Sequence, residues 1–222
     1  MSVEIHLFDL YRSANIGIFL KCNDRFCLAP RGVASTKLDK LSNLLRCEII
    51  PAAVAGSRLI GPLVAMNNNG IVVSRLSDES EIKYLKEITG LDVRKLDSRF
   101  TSVGNLVSVN DKGAIASDVF SEESVKEIES TLKVPVRRMR IGSMIQVGAM
   151  ISCTNSGAIV HPIATEAEIE LIGNTLGVVP EPATVNGGVP FVSSGFVGNS
   201  KSVLVGALTR GPELLILSKA FS

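Results

Sequence analysis

The chain has 222 residues, 45% hydrophobic and 20% charged, with a formal net charge of +1, no Trp and 19 Gly. That size and apolar fraction suffice for a buried core, and a near-neutral chain does not hold nucleic acid through a global basic field. No apolar run reaches the roughly 18 residues of a membrane span, and the opening "MSVEIHLFDLYR" mixes acids into its apolar residues without a basic stretch ahead of them, unlike a signal peptide.

A strand is expected first, over 3–12, with His6 alternating with Ile5 and Leu7 and so partly exposed on the opposite strand face. The loop "SANIG" (13–17) leads into a hairpin turning at "NDRF", a helix carrying Leu38, Leu41 and Leu45, and a strand in "EIIPAAVA". A second loop, "SRLIG" (57–61), leads into the strand "GPLVAM", the turn "NNNG" and the strand "GIVVS". Asn and Gly in such a turn are read as supplying positive φ at a hairpin tip. A helix starting at Ser77 or Asp78 puts Ile82, Leu85 and Ile88 on one face, and the strand "LDVRKLD" follows. The third set is "TSVG" (101–104), the turn "NDKG", a helix from Ser121 with Val125, Ile128 and Leu132, and the strand "VPVRRMR". The fourth is "IQVG" (145–148), the turn "TNSG", a helix behind the capping box Thr165/Glu168, and the strand "ATVNGGV". The fifth is "PFVS" (190–193), the turn "NSKS" and a helix opened by Pro212. Because the first and fifth turns lack Gly, they are expected to differ in type from the other three.

These sets fall in register at Ile16-Gly17, Ile60-Gly61, Val103-Gly104, Val147-Gly148 and Val192-Ser193. A period in the low forties signals a repeat architecture. The last helix has no strand after it, while the chain opens with a spare one. The expectation is therefore an α+β fold: one domain over 1–222, a closed five-fold pseudosymmetric α/β propeller. Its repeats run over about 16–59, 60–102, 103–146, 147–191 and 192–222, with strand 3–12 completing the last. A ring needs no polar end caps, which an open solenoid would.

Few residues suggest chemistry. Cys153 and His161 lie on the two arms of one hairpin, as a nucleophile and its base could. In register, however, Cys153 matches Cys22, Met66, Val109 and Gly198, and His161 matches Pro30, Ser74, Ser117 and Gly206. That reads as a packed thiol and a surface histidine. The four cysteines, at 22, 27, 47 and 153, show no CxxC spacing and are read as reduced thiols of a cytosolic protein. No metal constellation and no phosphate-binding glycine loop is present. "VPVRRMR" (134–140) is the one basic run, read as a solvated strand face, with the milder "VRKLDSR" (93–99) beside it. The five loops ending at the repeated glycine should share one end of the ring. Their unrepeated residues, Asn15, Arg58, Ser102, Asn105, Gln146 and Phe191, are free to serve one asymmetric site.

The motifs "YRSANIG", "AGSRLIG", "VGNLVSVND", "CTNSGAIVHP" and "TVNGGVPFVSSG" resemble the translation initiation factor 6 family in its short archaeal form, along the whole chain. The resemblance implies the closed pentein fold and a non-catalytic protein that binds the large (50S) ribosomal subunit. There it would prevent premature joining of the small (30S) subunit, with a further part in large-subunit biogenesis. It implies docking chiefly on ribosomal protein L14 (uL14) near the sarcin–ricin loop, with room for a minor rRNA contact. By the same resemblance the binding positions include Gly17, Gly61 and Gly104 with Arg58, Asn105 and Phe191, joined by Asn15 from the same loops. The expectation is a cytoplasmic monomer with no cofactor, no metal, no DNA partner and no membrane. The competing reading is a pentein-type amidinohydrolase acting on arginine-like substrates, which needs a Cys, a His and acids converging at the ring centre.

Overall fold

The structure is a computed structural model and describes residues 3–222. Alternating apolar residues around each Asn-rich turn build five three-stranded sheets in succession. The chain begins with β1 (Glu4–Phe8), then β2 (Lys21–Cys22), β3 (Phe26–Pro30), helix α1 (Ser35–Leu45) and β4 (Glu48–Ala52). Next come β5 (Val64–Met66), β6 (Gly70–Val73), α2 (Glu79–Thr89) and β7 (Asp92–Lys95). The short helix α3 (Val103–Leu106) precedes β8 (Val107–Val109), β9 (Ala114–Ser117), α4 (Glu122–Leu132) and β10 (Val136–Met139). Another short helix, α5 (Val147–Met150), precedes β11 (Ile151–Cys153), β12 (Ala158–Val160), α6 (Glu166–Leu176) and β13 (Pro180–Pro182). The chain finishes with β14 (Phe196–Gly198), β15 (Ser202–Gly206) and α7 (Gly211–Ala220).

Each sheet repeats one topology: an antiparallel hairpin, then a helix, then a strand parallel to the hairpin's second arm. A parallel return needs a long crossover, which the helix supplies. The fifth sheet takes its parallel strand from the other end of the chain. β1 lies along β15 from Glu4↔Ser202 to Phe8↔Gly206, so the ring closes as the unpaired first strand foretells.

The core is not inside the units but between them. One cluster joins Phe26, Leu28 and Ile50 of the first sheet to Val64, Ile71 and Leu85 of the second set. The same sharing recurs around the ring, and at the seam Val197 and Leu204 pack with Leu41 and Leu45 of α1. No unit could bury its apolar face alone.

The hairpin tips carry the strongest inter-unit link. Asn67 accepts from the amides of Asn69 and Gly70 through Oδ1, closing its own turn, and donates through Nδ2 to the carbonyls of Asn110 and Leu132 in the next unit. Asn110 repeats this toward Thr154 and Leu176. Asn23 donates to Asn67 and Asn199 donates to Leu45. Helix C-terminal carbonyls have no partner within their own helix, so the Asn67, Asn110 and Asn199 amides cap the neighbouring helices. The next residues, Asp24, Asn68, Asp111, Asn155 and Ser200, form a second hydrogen-bonded ring across the axis. Burial pushes the Asp24 carboxyl up, but hydrogen bonds from Ser200, Asn68 and Asn155 outweigh it and hold the group below its ordinary value.

Four expectations about local structure need correction. Gly70, Gly113 and Gly157 are not at positive φ. They are glycine because a Cβ there would overlap the carbonyls of Thr131, Thr175 and Ala220 at the end of the neighbouring helix. The turns without Gly do not differ in hydrogen bonding: Asn23 and Asn199 close theirs as Asn67 does, since the Asx side chain defines the turn. "GPLVAM" is half strand, because Gly61–Leu63 forms a 3₁₀ turn with Pro62 at its start. The parallel strand of the fourth sheet is Pro180–Pro182, and 183–189 instead holds a tight turn bridged by Val185 and Val189. Proline is tolerated there because β13 is an edge strand.

Two outcomes follow from the closure. Deleting residues 1–12 removes the partner of β15 and the buried Phe8 and Leu10. Each of those side chains contributes about 1.5–3 kcal/mol against a typical total of roughly 5–15 kcal/mol. Chemical denaturation should show the truncated chain unfolded or aggregating; full-length stability would refute the seam. Asn110→Ala should cost about 1–3 kcal/mol by the same assay, because it strands two buried carbonyls of the next unit.

Candidate functional site

The end of the ring opposite the hairpin tips is built from turns. Leu10 bridges to Ser13 across Tyr11 and Arg12, which sit at φ 55° and 59°. Val54 bridges to Ser57 across Ala55 (φ 54°) and Gly56 (φ 66°) in the same way. Two successive positive-φ residues make the tight turn that suits a twisted hairpin. A left-handed conformation costs a non-glycine residue roughly 1–2 kcal/mol, so the exposed Tyr11-Arg12 pair is held by its surroundings. Carboxylates brace the matching turns elsewhere: Glu81 accepts from Ala55 and Gly56, Glu168 from Gly142, and Glu213 from Gly187 and Gly188. The same three glutamates accept from the backbone at their own helix starts, at Asp78, Thr165 and Arg210. The capping box at Thr165 and Glu168 is therefore present and has a second use.

Inside this rim, five short helical turns converge on the axis. A Cβ on Gly17 would overlap the Ser193 carbonyl, one on Gly61 the Gly17 carbonyl, and one on Gly104 the Gly61 carbonyl. Gly61 and Gly104 are buried. These three sequence-selected glycines serve the ring: they let neighbouring backbones touch. The residues that follow the repeated position, Ile18, Pro62, Asn105, Ala149 and Ser194, line a central cavity of about 110 Å³ on the loop side. Asn105 thus lies near the axis.

Deeper in, Cys22, Met66, Val109, Cys153 and Gly198 form a belt. They line both this cavity and a smaller one of about 30 Å³ beneath the hairpin tips. The packed reading of Cys153 fits that belt, and burial raises its thiol above the ordinary value. No His, Asp or Glu lines the larger cavity. His161 is not brought to Cys153, and it is not a surface residue either. It is 9% exposed, its Nδ1 accepts from the Ile163 amide at 3.0 Å, and its ring meets Phe191 edge-on at 5.3 Å. Sequence register missed this pair because the two residues sit at different register positions on separate elements; the aromatic in a proline-flanked loop was the only signal.

The remaining selected residues scatter around the face. Arg58 is exposed, and none of the ion pairs among the described residues includes it. Asn15 is exposed and accepts from Asn186 across the seam at 3.3 Å. Phe191 is 37% exposed, with its ring backed by His161. Among the described residues ten large hydrophobic residues are exposed, and six of them, Tyr11, Leu59, Leu76, Ile163, Phe191 and Leu208, lie on this end. The basic run is largely engaged: Arg140 pairs with Asp118, and Arg138 donates to the Phe120 carbonyl. Among the described residues no group of three or more His, Cys, Asp or Glu could hold a metal ion, and no helix is long and apolar enough to cross a membrane.

Burial lowers the His161 pKa below its ordinary 6.5. The unfolded chain therefore takes up the proton first, and stability should fall as the pH drops below about 6.5, down to the lower native value. His161→Asn keeps an acceptor for Ile163 but does not titrate. Its thermal midpoint should be flatter than wild type across that window; identical slopes would refute the buried neutral imidazole.

The fold and the sequence match known proteins differently. The N-terminal domain of ArgZ, an arginine dihydrolase from cyanobacteria solved as a C264S mutant with substrate, superposes with a TM-score of 0.57. The match covers 84% of this chain and 76% of that one at 16% identity, which shows the shared pentein fold alone. In sequence, the chain is 42% identical to translation initiation factor 6 of Cenarchaeum symbiosum, over 99% of this chain and 100% of that protein. It is 39% identical to that of Nitrosopumilus maritimus, over 99% of each, and 33% identical to that of Saccharolobus solfataricus, over 98% and 99%. The family model described as "eIF-6 family" matches residues 5–220, so the chain belongs to the eIF-6 family.

Proposed function

We propose that this protein acts in translation initiation by binding the large ribosomal subunit through its loop face and keeping the small subunit from joining it. Family membership and the names of its relatives support the translation role. The observation that carries the choice of face is the gathering of six of the ten exposed large hydrophobic side chains there, since clustered apolar surface marks interaction sites. The partner of this reading is chiefly ribosomal protein L14 (uL14) near the sarcin–ricin loop. Exposed Arg12, Arg58 and Arg75 on the same rim offer a minor rRNA contact. The near-neutral net charge fits a dock made mainly on protein. Phe191, backed by His161, is the anchor; Arg58, Asn15 and Asn105 supply polar contacts; Gly17, Gly61 and Gly104 set the collar that presents them. The protein works as a monomer in the cytoplasm, needs no turnover, and has a further part in large-subunit biogenesis.

The mechanism is occupation of space. A factor seated on the joining face blocks the second subunit for as long as it stays bound. Its strength lies in slow release, which a desolvated aromatic anchor favours.

Co-sedimentation with isolated large subunits, followed by subunit joining on gradients, tests the reading. Phe191→Ala should weaken binding by roughly 2 kcal/mol, and Arg58→Ala and Asn105→Ala by less, with folding intact. Lys86→Ala, at the end of α2 on the far side, should bind as wild type. Equal binding by all four variants would exclude the loop face, and binding to small subunits instead would exclude the function.

A further inference from the structure

The five-fold register turns the axis into a comparison of like with like. On the first strand of each hairpin, one position before the belt, the chain places Lys21, Ala65, Ser108, Ser152 and Val197. Four of these are small or uncharged. Lys21 alone is charged, and it lines the central cavity.

That amino group has no protein counter-charge. None of the ion pairs among the described residues includes it. The cavity lining contains no carboxylate, and the carboxylates on the axis, Asp24 and Asp111, lie beyond the belt and are bound by Asn68 and Asn155. Burial lowers its pKa, with the Cys153 and Cys22 thiols beside it acting in the opposite sense. Nearby donors are also uncommitted: the Ser152 hydroxyl and the Asn105 amide line the cavity and bond to no other described residue. A half-buried ammonium with no carboxylate beside it favours an anionic partner. A water needs roughly 10–15 Å³ of such space, so a cavity of about 110 Å³ has room for an ion of several heavy atoms.

We propose that the loop-side cavity binds one tetrahedral oxyanion, of the inorganic phosphate or sulfate class, held by the Lys21 ammonium with Ser152 and Asn105 as further donors. The ion enters past Asn105 and Ser194 and stops at the Cys22–Cys153 belt. Binding keeps Lys21 charged and ties β2 to β11 across the axis, so the ion acts as a removable pin at the centre of the ring. The cavity borders the proposed ribosome-binding face and shares Asn105 with it, whereas Lys21 and Ser152 serve the cavity alone.

The test is thermal unfolding of the full chain against sodium phosphate, with ionic strength held by sodium chloride, and with parallel sulfate and chloride-only series. Phosphate raises the midpoint of any protein somewhat by surface exclusion, so the readout is the difference between wild type and Lys21→Met. Wild type should show a saturable rise; Lys21→Met should fold, match or exceed wild type without phosphate, and bind at least about tenfold more weakly, as for a lost charge-assisted hydrogen bond. Equal response of the two proteins overturns the proposal, and so does saturation by chloride but not by phosphate or sulfate. A second readout is independent of the variant: phosphate should slow alkylation of Cys22 and Cys153 by iodoacetamide in wild type several-fold, and unchanged rates would count against the site.

Discussion

An asparagine side chain that closes its own turn with its oxygen and its neighbour's helix with its nitrogen is the contact on which the ring depends. Asn67 and Asn110 each do both, Asn199 carries the linkage across the seam, and Asn23 carries it from the first unit to the second. The fourth unit has Thr154, whose hydroxyl accepts within its turn but has no second donor to reach onward. Each link ties the tip of one hairpin to the next and, through most of them, to a helix end that would otherwise leave carbonyls bare. The linkage also sets how close neighbouring units come, and that closeness requires glycine at 70, 113 and 157. A single residue type thus accounts for turn, cap and inter-unit spacing together.

Closure decides where chemistry can reside. Five equivalent positions meet at the axis, so a residue that packs well once packs five times, and a lone departure is the place to look. The belt of Cys22, Met66, Val109, Cys153 and Gly198 is a packing solution at one register. Lys21 is the departure. The loop-side cavity offers thiols without a histidine or a carboxylate. His161 has its Nδ1 engaged and its ring under Phe191.

The two ends of the ring have opposite character because the strands run in one sense in every unit. The tip end is a sealed hydrogen-bond network. The loop end gathers strand exits, helix starts and tight turns, and it carries the left-handed Tyr11-Arg12 pair and most of the exposed large apolar side chains. Glu81, Glu168 and Glu213 fix those turns from the following helix, so the face is irregular in sequence yet firmly held. A firm, partly apolar face suits a factor that acts by staying in place.

The repeat was legible because its causes are local. Asx-led turns, Val-Gly pairs and capping residues mark each unit in register, and an unpaired first strand with a last helix lacking its strand gives closure. The reasons for several of those residues were not legible. Nothing in "NNNG" distinguishes a glycine needed for positive φ from one needed because another unit's helix end lies against it. The fourth sheet's parallel strand reads from sequence as "ATVNGGV", whereas the edge position of β13 lets Pro180–Pro182 take that place. The pairing of His161 with Phe191, the isolation of Lys21 on the axis and the placement of Asn105 at the cavity all depend on contacts between segments far apart in the chain. Sequence determines what each unit is; only the closed ring, by bringing distant units to a common axis, decides which side chains meet and which charge is left without a partner.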